Sequence, residues 1–145
     1  MKFGSGVDYS LKALLMLAER YPVSQPLRLD AIATAQNIPR NYLRVLLIAL
    51  KHGRLVLTQK GPGGGYLLAR PPSRITMADV VEIIEGDYVP VQCLERGVSS
   101  PCARDEVCAM REVWCEVRDK VTSMLRATTL DILAGKREAA TSFHI

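Results

Sequence analysis

Residues 55–69, Leu55-Val56-Leu57-Thr58-Gln59-Lys60-Gly61-Pro62-Gly63-Gly64-Gly65-Tyr66-Leu67-Leu68-Ala69, carry the reading on which the fold turns. Residues 55–59 are strand-like. Residues 60–65 form a turn of residue types that accept unusual backbone angles, and residues 66–69 return as a second strand. The glycine tip is not a P-loop, because no Gly-Lys-Ser/Thr follows. Nor is it a dinucleotide fingerprint, because Tyr66 stands where the third glycine is needed.

Upstream, residues 40–52 read as a helix with Tyr42, Leu43, Leu46, Leu47 and Leu50 on its buried side and Gly53 as its stop. A shorter helix over 29–36 precedes it, with Ile32 and Ala33 inward. Asn37-Ile38-Pro39 makes the turn, and Pro39 is well placed near the first position of the next helix. Two short helices joined tightly and followed by a hairpin follow the order of a winged helix. Further upstream, residues 7–20 form a helix with Leu11, Leu14, Leu15, Leu17 and Ala18 on one face, and residues 22–26 form a loop.

Downstream, Thr76 caps a helix through about residue 85, which Gly86 ends. Residues 87–105 are irregular. Residues 106–133 read as one long helix, with Met110, Val113, Trp114, Val117, Val121, Met124, Leu125, Thr128 and Ile132 spaced mostly by three or four. So small a chain cannot cover such a stripe alone, and a second copy is the simplest cover. The expected fold class is mainly α with a small β-hairpin: a winged helix-turn-helix domain plus a long C-terminal dimerisation helix. Its parts are a DNA-binding domain over 1–86, a cysteine-bearing loop over 87–109, the long helix over 106–134 and a frayed polar tail over 135–145.

Charge agrees with the first of these parts. Residues 1–85 hold 11 Lys+Arg against 6 Asp+Glu, and residues 86–145 hold 8 against 9, so the basic surplus lies in the first part. Basic surface is the electrostatic requirement for a phosphate backbone. With 48% hydrophobic residues the chain can build a core, which excludes global disorder. No apolar run approaches the roughly 20 residues that span a bilayer, and residues 1–8 lack the apolar core of a secretory signal. A cytoplasmic protein without membrane association is expected. No nucleophile–base pair or cofactor motif stands in its required context, so an enzyme is not expected.

The four cysteines, Cys93, Cys102, Cys108 and Cys115, are separated by eight, five and six residues. Clustering of this kind in a cytosolic chain favours metal or redox chemistry over structural disulfides. Zinc sites prefer short paired spacings, which are absent here.

These motifs together resemble the Rrf2 family, the winged-helix iron–sulfur regulators typified by IscR, NsrR and RirA. The matching stretches are Val7-Asp8-Tyr9-Ser10-Leu11-Lys12-Ala13-Leu14-Leu15, Ile32-Ala33, Ile38-Pro39-Arg40-Asn41-Tyr42-Leu43, Gly61-Pro62-Gly63-Gly64-Gly65-Tyr66-Leu67-Leu68, Ile84-Glu85-Gly86 and Thr128-Thr129-Leu130. The resemblance covers about residues 1–135. It implies a homodimeric transcriptional regulator, a repressor by the commonest pattern, that binds a palindromic site in double-stranded DNA. The helix over 40–52 would enter the major groove and the hairpin the adjacent minor groove.

On that resemblance Arg40, Asn41 and Arg44 face the DNA, where Arg can read guanine and Asn adenine. Tyr42 would send its hydroxyl to a phosphate. Lys60, Gly61, Gly63 and Gly64 would form the wing contact, with Lys60 where many relatives carry arginine. Cys93, Cys102 and Cys108 are the implied thiolate ligands of an iron–sulfur cluster, [2Fe-2S] or [4Fe-4S], of a kind easily lost in air. Asp8, given by the other subunit, stands where one branch takes its fourth ligand. The histidine that another branch has three residues after the last ligand cysteine is replaced by Arg111. Cys115 is expected to be a small core or interface residue. The alternative is a repressor of the same family without a cluster, controlled by a thiol switch, a small molecule or a protein effector.

Overall fold

The computed structural model describes residues 3–23, 25–95 and 108–142. Among these, the order is α1 (Ser5–Ala18), α2 (Leu29–Gln36), α3 (Arg40–His52), β1 (Val56–Gln59), β2 (Gly65–Leu68), α4 (Met77–Glu85), α5 (Ala109–Ala127) and α6 (Leu130–Ser142). Short 3-10 turns occupy Pro72–Arg74 and Gln92–Leu94.

The helix-turn-helix follows the predicted bounds of its two helices. Asn37 ends α2 in the left-handed conformation (φ 51°, ψ 49°), a position that Asn fills more readily than other residues with side chains. Pro39 is the N-cap of α3, directly before its first residue Arg40. Leu43, Leu47 and Leu50 of α3 join Leu14 and Leu17 of α1, Ile32 of α2, and Leu55 and Val56 in one core, while Leu46 is buried beside Gly6. β1 and β2 pair antiparallel, Val56 opposite Leu68 and Gln59 opposite Gly65. Beyond the expected hairpin, Leu27 exchanges two backbone hydrogen bonds with Tyr66, at 3.0 and 2.8 Å, and so ties the segment before α2 to the outer edge of β2.

At the end of α3 the left-handed turn falls on Arg54 (φ 61°), while Gly53 keeps φ −74°. Gly53 caps the end of α3 as expected, and it also leaves room for a neighbour: a Cβ there would lie 2.3 Å from Ile83 Cδ1 on α4. α4 opens with a full capping box. Thr76 Oγ1 accepts from Asp79 N at 3.1 Å, and the Asp79 carboxylate accepts from Thr76 N at 2.8 Å.

The single long helix expected over 106–133 is broken. α5 stops at Ala127, Thr128 is extended (φ −101°, ψ 106°), and α6 starts afresh at Leu130. The cause lies across the chain. The Thr128 carbonyl accepts from Met77 N at 2.8 Å, Leu130 N donates to the Ile75 carbonyl at 2.9 Å, and Thr129 bridges Thr76. Thr128 Oγ1 also donates back to the Met124 carbonyl, a bond that bends helix ends. The break turns the chain so that Leu130 is fully buried in the main core and α6 lies along α1, where Arg137 pairs with Glu19 at 2.9 Å. The tail expected to fray from residue 135 therefore continues α6 as far as Ser142. No helix among the described residues is long and apolar enough to cross a membrane.

Candidate nucleic-acid interface and cysteine segment

α3 contains no acidic residue, and its outer face carries Arg40, Asn41 and Arg44, all exposed. These three stand where the sequence placed them, but Arg40 is already engaged. Its Nε donates to the Asp30 carboxylate of α2, which holds the guanidinium at the corner of the helix-turn-helix. Both partners are more than half exposed, so the pair contributes little stability and acts mainly as an orienting contact.

Tyr42 is turned toward α1. Its ring meets Tyr9 edge-on, with centroids 5.8 Å apart and planes at 76°. Its hydroxyl lies beside Gly6, where an added Cβ would come within 2.8 Å of the hydroxyl oxygen. The hydroxyl thus sits at the first turn of α1, and the ring braces α3 against α1 rather than entering the core.

The wing glycines divide into two kinds. Gly61 (φ 107°) and Gly63 have nothing within 4 Å of an added Cβ, so both sit in open space at the tip beside exposed Lys60. Gly64 is buried, and a Cβ there would lie 2.2 Å from the Gln59 carbonyl oxygen. Its role is packing within the hairpin, which separates it from the residues free to approach a partner.

Cys93 lies in the 3-10 turn Gln92–Leu94, Cys108 immediately precedes α5, and Cys115 stands two turns along it; all three are half-buried free thiols. Cys102 lies outside the described residues. Asp8 is on the exposed side of α1, its carboxylate 2.8 Å from Lys12 Nζ and 60% accessible. Among the described residues of one chain, no three His, Cys, Asp or Glu side chains come together as a metal site, so Asp8, Cys93 and Cys108 do not converge within one chain.

The turn bearing Cys93 borders a cleft of about 420 Å³ between α4 and α5, lined by Val81, Glu82, Leu94, Arg118 and Leu125 among others. The Arg118 guanidinium is held protonated more firmly than usual, first by its hydrogen bond to Asp119 and then by that carboxylate's charge. On its outer side α5 exposes Met110, Val113, Trp114 and Met124, as the apolar spacing predicts.

Comparison with known proteins places this geometry in context. The sequence profile of the Rrf2 family, described as an iron-dependent transcriptional regulator, matches residues 3–136. The chain is 35% identical over 143 residues to the HTH-type transcriptional regulator CymR of Bacillus subtilis, covering 96% of each protein. It is 29% identical over 138 residues to the HTH-type transcriptional regulator IscR of Photorhabdus laumondii, covering 95% of this chain and 82% of that one. Among solved structures it resembles CymR, the global cysteine regulator of B. subtilis, with a TM-score of 0.80 at 32% identity over 94% of this chain and 98% of that chain. It also resembles IscR of T. potens, with a TM-score of 0.77 at 26% identity over 97% of this chain and 90% of that chain.

Proposed function

The chain belongs to the Rrf2 family of transcriptional regulators, and from that premise we propose that it is a cytoplasmic homodimeric repressor that senses iron, redox state or nitric oxide through an iron–sulfur cluster. It acts by binding rather than by turnover. Residues 1–86 form the DNA-binding unit, with α3 in the major groove of a palindromic operator and the wing at the adjacent backbone. Asn41 reads a base edge, Arg40 and Arg44 provide charge toward the DNA, and Lys60 with the open glycines Gly61 and Gly63 approaches the minor groove. Tyr42 contributes mainly by holding α3 against α1. The exposed apolar side of α5 is covered by a second copy.

One observation carries the sensing proposal: half-buried, free thiols stand at both ends of the cysteine segment, Cys93 in the 3-10 turn that follows α4 and Cys108 directly before α5. Soft thiolate sulfur suits an iron–sulfur cluster, so this donor set fits. Cys93, Cys102 and Cys108 would hold it, with Asp8 of the partner subunit as the fourth ligand. The exposure of the Asp8 carboxylate leaves it reachable by another chain. When bound, the cluster supplies iron–ligand bonds that respond to oxidants and to nitric oxide. The chain's own part is mechanical: Cys108 fixes the segment to α5, and α4 packs against both α5 and α3. A change in the segment thereby biases the spacing of the two recognition helices.

Purification without oxygen, followed by a visible spectrum with iron and acid-labile sulfide analysis, tests this. A coloured protein with iron and sulfide in comparable amounts, whose colour and regulated DNA binding vanish together in Cys93→Ala, is expected. A second reading has its own support, the likeness to a global cysteine regulator. In it the same thiols form a switch without iron: two thiols give up two electrons and two protons to an oxidant and become a disulfide. A colourless protein after anaerobic reconstitution, whose DNA affinity changes reversibly with oxidation, would replace the cluster reading with this one.

A further inference from the structure

The outer face of α3 holds two residues that its charge does not explain. Val45 is 60% exposed and Ile48 47% exposed, both on a helix otherwise edged by Arg40, Arg44, Lys51 and His52. β-Branched residues are among the poorer helix formers, so solvent alone gives no reason to place them there. At about 100° per residue, Asn41, Val45, Ile48 and His52 fall within about 30° of the direction opposite the buried leucines Leu43, Leu46, Leu47 and Leu50. Arg40, Arg44 and Lys51 lie about 70–110° round to one side of that direction. The crest of the helix is therefore polar at its two ends and apolar between them, while the cations form a flank.

That division matches the chemistry of a major groove. Phosphates lie at the groove's rim and base edges on its floor, and the apolar feature of the floor is the thymine C5-methyl group. We infer that Val45 and Ile48 are specificity-determining residues that pack on thymine methyl groups, next to a base read by Asn41, while Arg40, Arg44 and Lys51 meet the phosphate rim. The inference rests on α3 being the recognition helix and deepens that reading. Asn41 and Ile48 are separated by about 10 Å along the helix, which spans about three base-pair steps. Each operator half-site should then carry thymines at two nearby positions beside the base that Asn41 contacts.

The test removes the methyl groups from the DNA rather than from the protein. Full-length dimer selects its preferred sequence from a random duplex library, and each thymine in that sequence is then replaced singly by deoxyuridine, which lacks the C5-methyl group. Dissociation constants are measured by fluorescence anisotropy at one salt concentration. Two thymines per half-site should each lose about three- to fivefold in affinity on conversion, the worth of one buried methyl group. In Val45→Ala and Ile48→Ala, each should become insensitive to conversion at its own position. Both side chains are exposed, so circular dichroism of the variants should match the parent. Specific binding with no deoxyuridine effect, or the same effect in the alanine variants, would overturn the inference and leave the recognition-helix reading standing. Selection of no sequence at all would overturn both.

Discussion

Gly65→Ala should detach the wing from the helix-turn-helix. A Cβ on Gly65 would sit 2.3 Å from the Leu27 carbonyl oxygen and 2.6 Å from its carbon. Ordinary contact needs more than a further ångström, and the neighbouring atoms are backbone, which cannot rotate away. The same Leu27 carbonyl accepts from Tyr66 N at 2.8 Å, and Leu27 N donates to the Tyr66 carbonyl at 3.0 Å. A shift of that size breaks both bonds. Each is worth about 0.5–1.5 kcal/mol, and Leu27 is buried, so part of the loss is an unpaired group out of water. The expected cost is about 2–4 kcal/mol. Urea unfolding of Gly65→Ala against Gly63→Ala reads it, because Gly63 has open space and its substitution should cost under about 0.5 kcal/mol. Binding to an operator duplex should weaken with the loss of the wing's position. Equal unfolding midpoints for the two variants would refute the reasoning.

Leu130→Ala should cost about 2–5 kcal/mol in the same urea assay, since Leu130 is fully buried in the main core; a cost under about 1 kcal/mol would mean that α6 is not docked as described. Trp114→Asp, placing a charge on the exposed apolar side of α5, should shift the protein to monomer in light scattering without changing its helical circular dichroism. Arg44→Ala should weaken binding to all sequences alike and lower the slope of log affinity against log salt by about two per bound dimer, one lost phosphate contact from each copy; relaxed preference at one base pair of each half-site would instead assign it to base reading.

Most of the DNA-binding fold was legible because its signals are local. The leucine period of α3, Asn37-Ile38-Pro39 and the glycine run each determine a few residues of backbone without help from elsewhere. The break at Thr128 and Thr129 escaped, because apolar spacing runs through it unchanged and its cause is pairing with Ile75, Thr76 and Met77, about fifty residues away. A cue was present: Thr129 followed by Asp131 is a helix-start pattern, and the two side chains do hydrogen-bond. Leu27 escaped for a similar reason, since one residue pairing at a sheet edge leaves no periodicity. At the site, the residue types were readable and their partners were not. Spacing gave Arg40 an outward position but not its tie to Asp30, and gave Gly64 to the wing tip although it is packed inside the hairpin.

Under the proposed sensing role, the same break sets the route by which a change at the cysteines reaches α3. α5 is 19 residues, about 28 Å, with Cys108 at one end and Thr128 at the other. Thr128 and Leu130 are hydrogen-bonded to the backbone on either side of Thr76, the N-cap of α4. Had the helix run on unbroken, its C-terminal end would have lacked this anchor, and motion at the cysteines would have dissipated in a free tail. Anchored there, α5 would act under that proposal as a lever pivoting at the start of α4. A displacement of about 2 Å at Cys108 corresponds to a tilt of about 4° over that length. α4, which packs on α5, would receive that tilt, and it packs on α3 where Ile83 fills the space left by Gly53. A bulkier residue at Gly53 would press on that joint, whereas Ile83→Ala would loosen it. Under the proposed sensing role, Ile83→Ala should leave colour and iron content intact while reducing the change in DNA affinity between the two sensor states. An unchanged affinity ratio in a folded, iron-loaded Ile83→Ala protein would exclude α4 as the route.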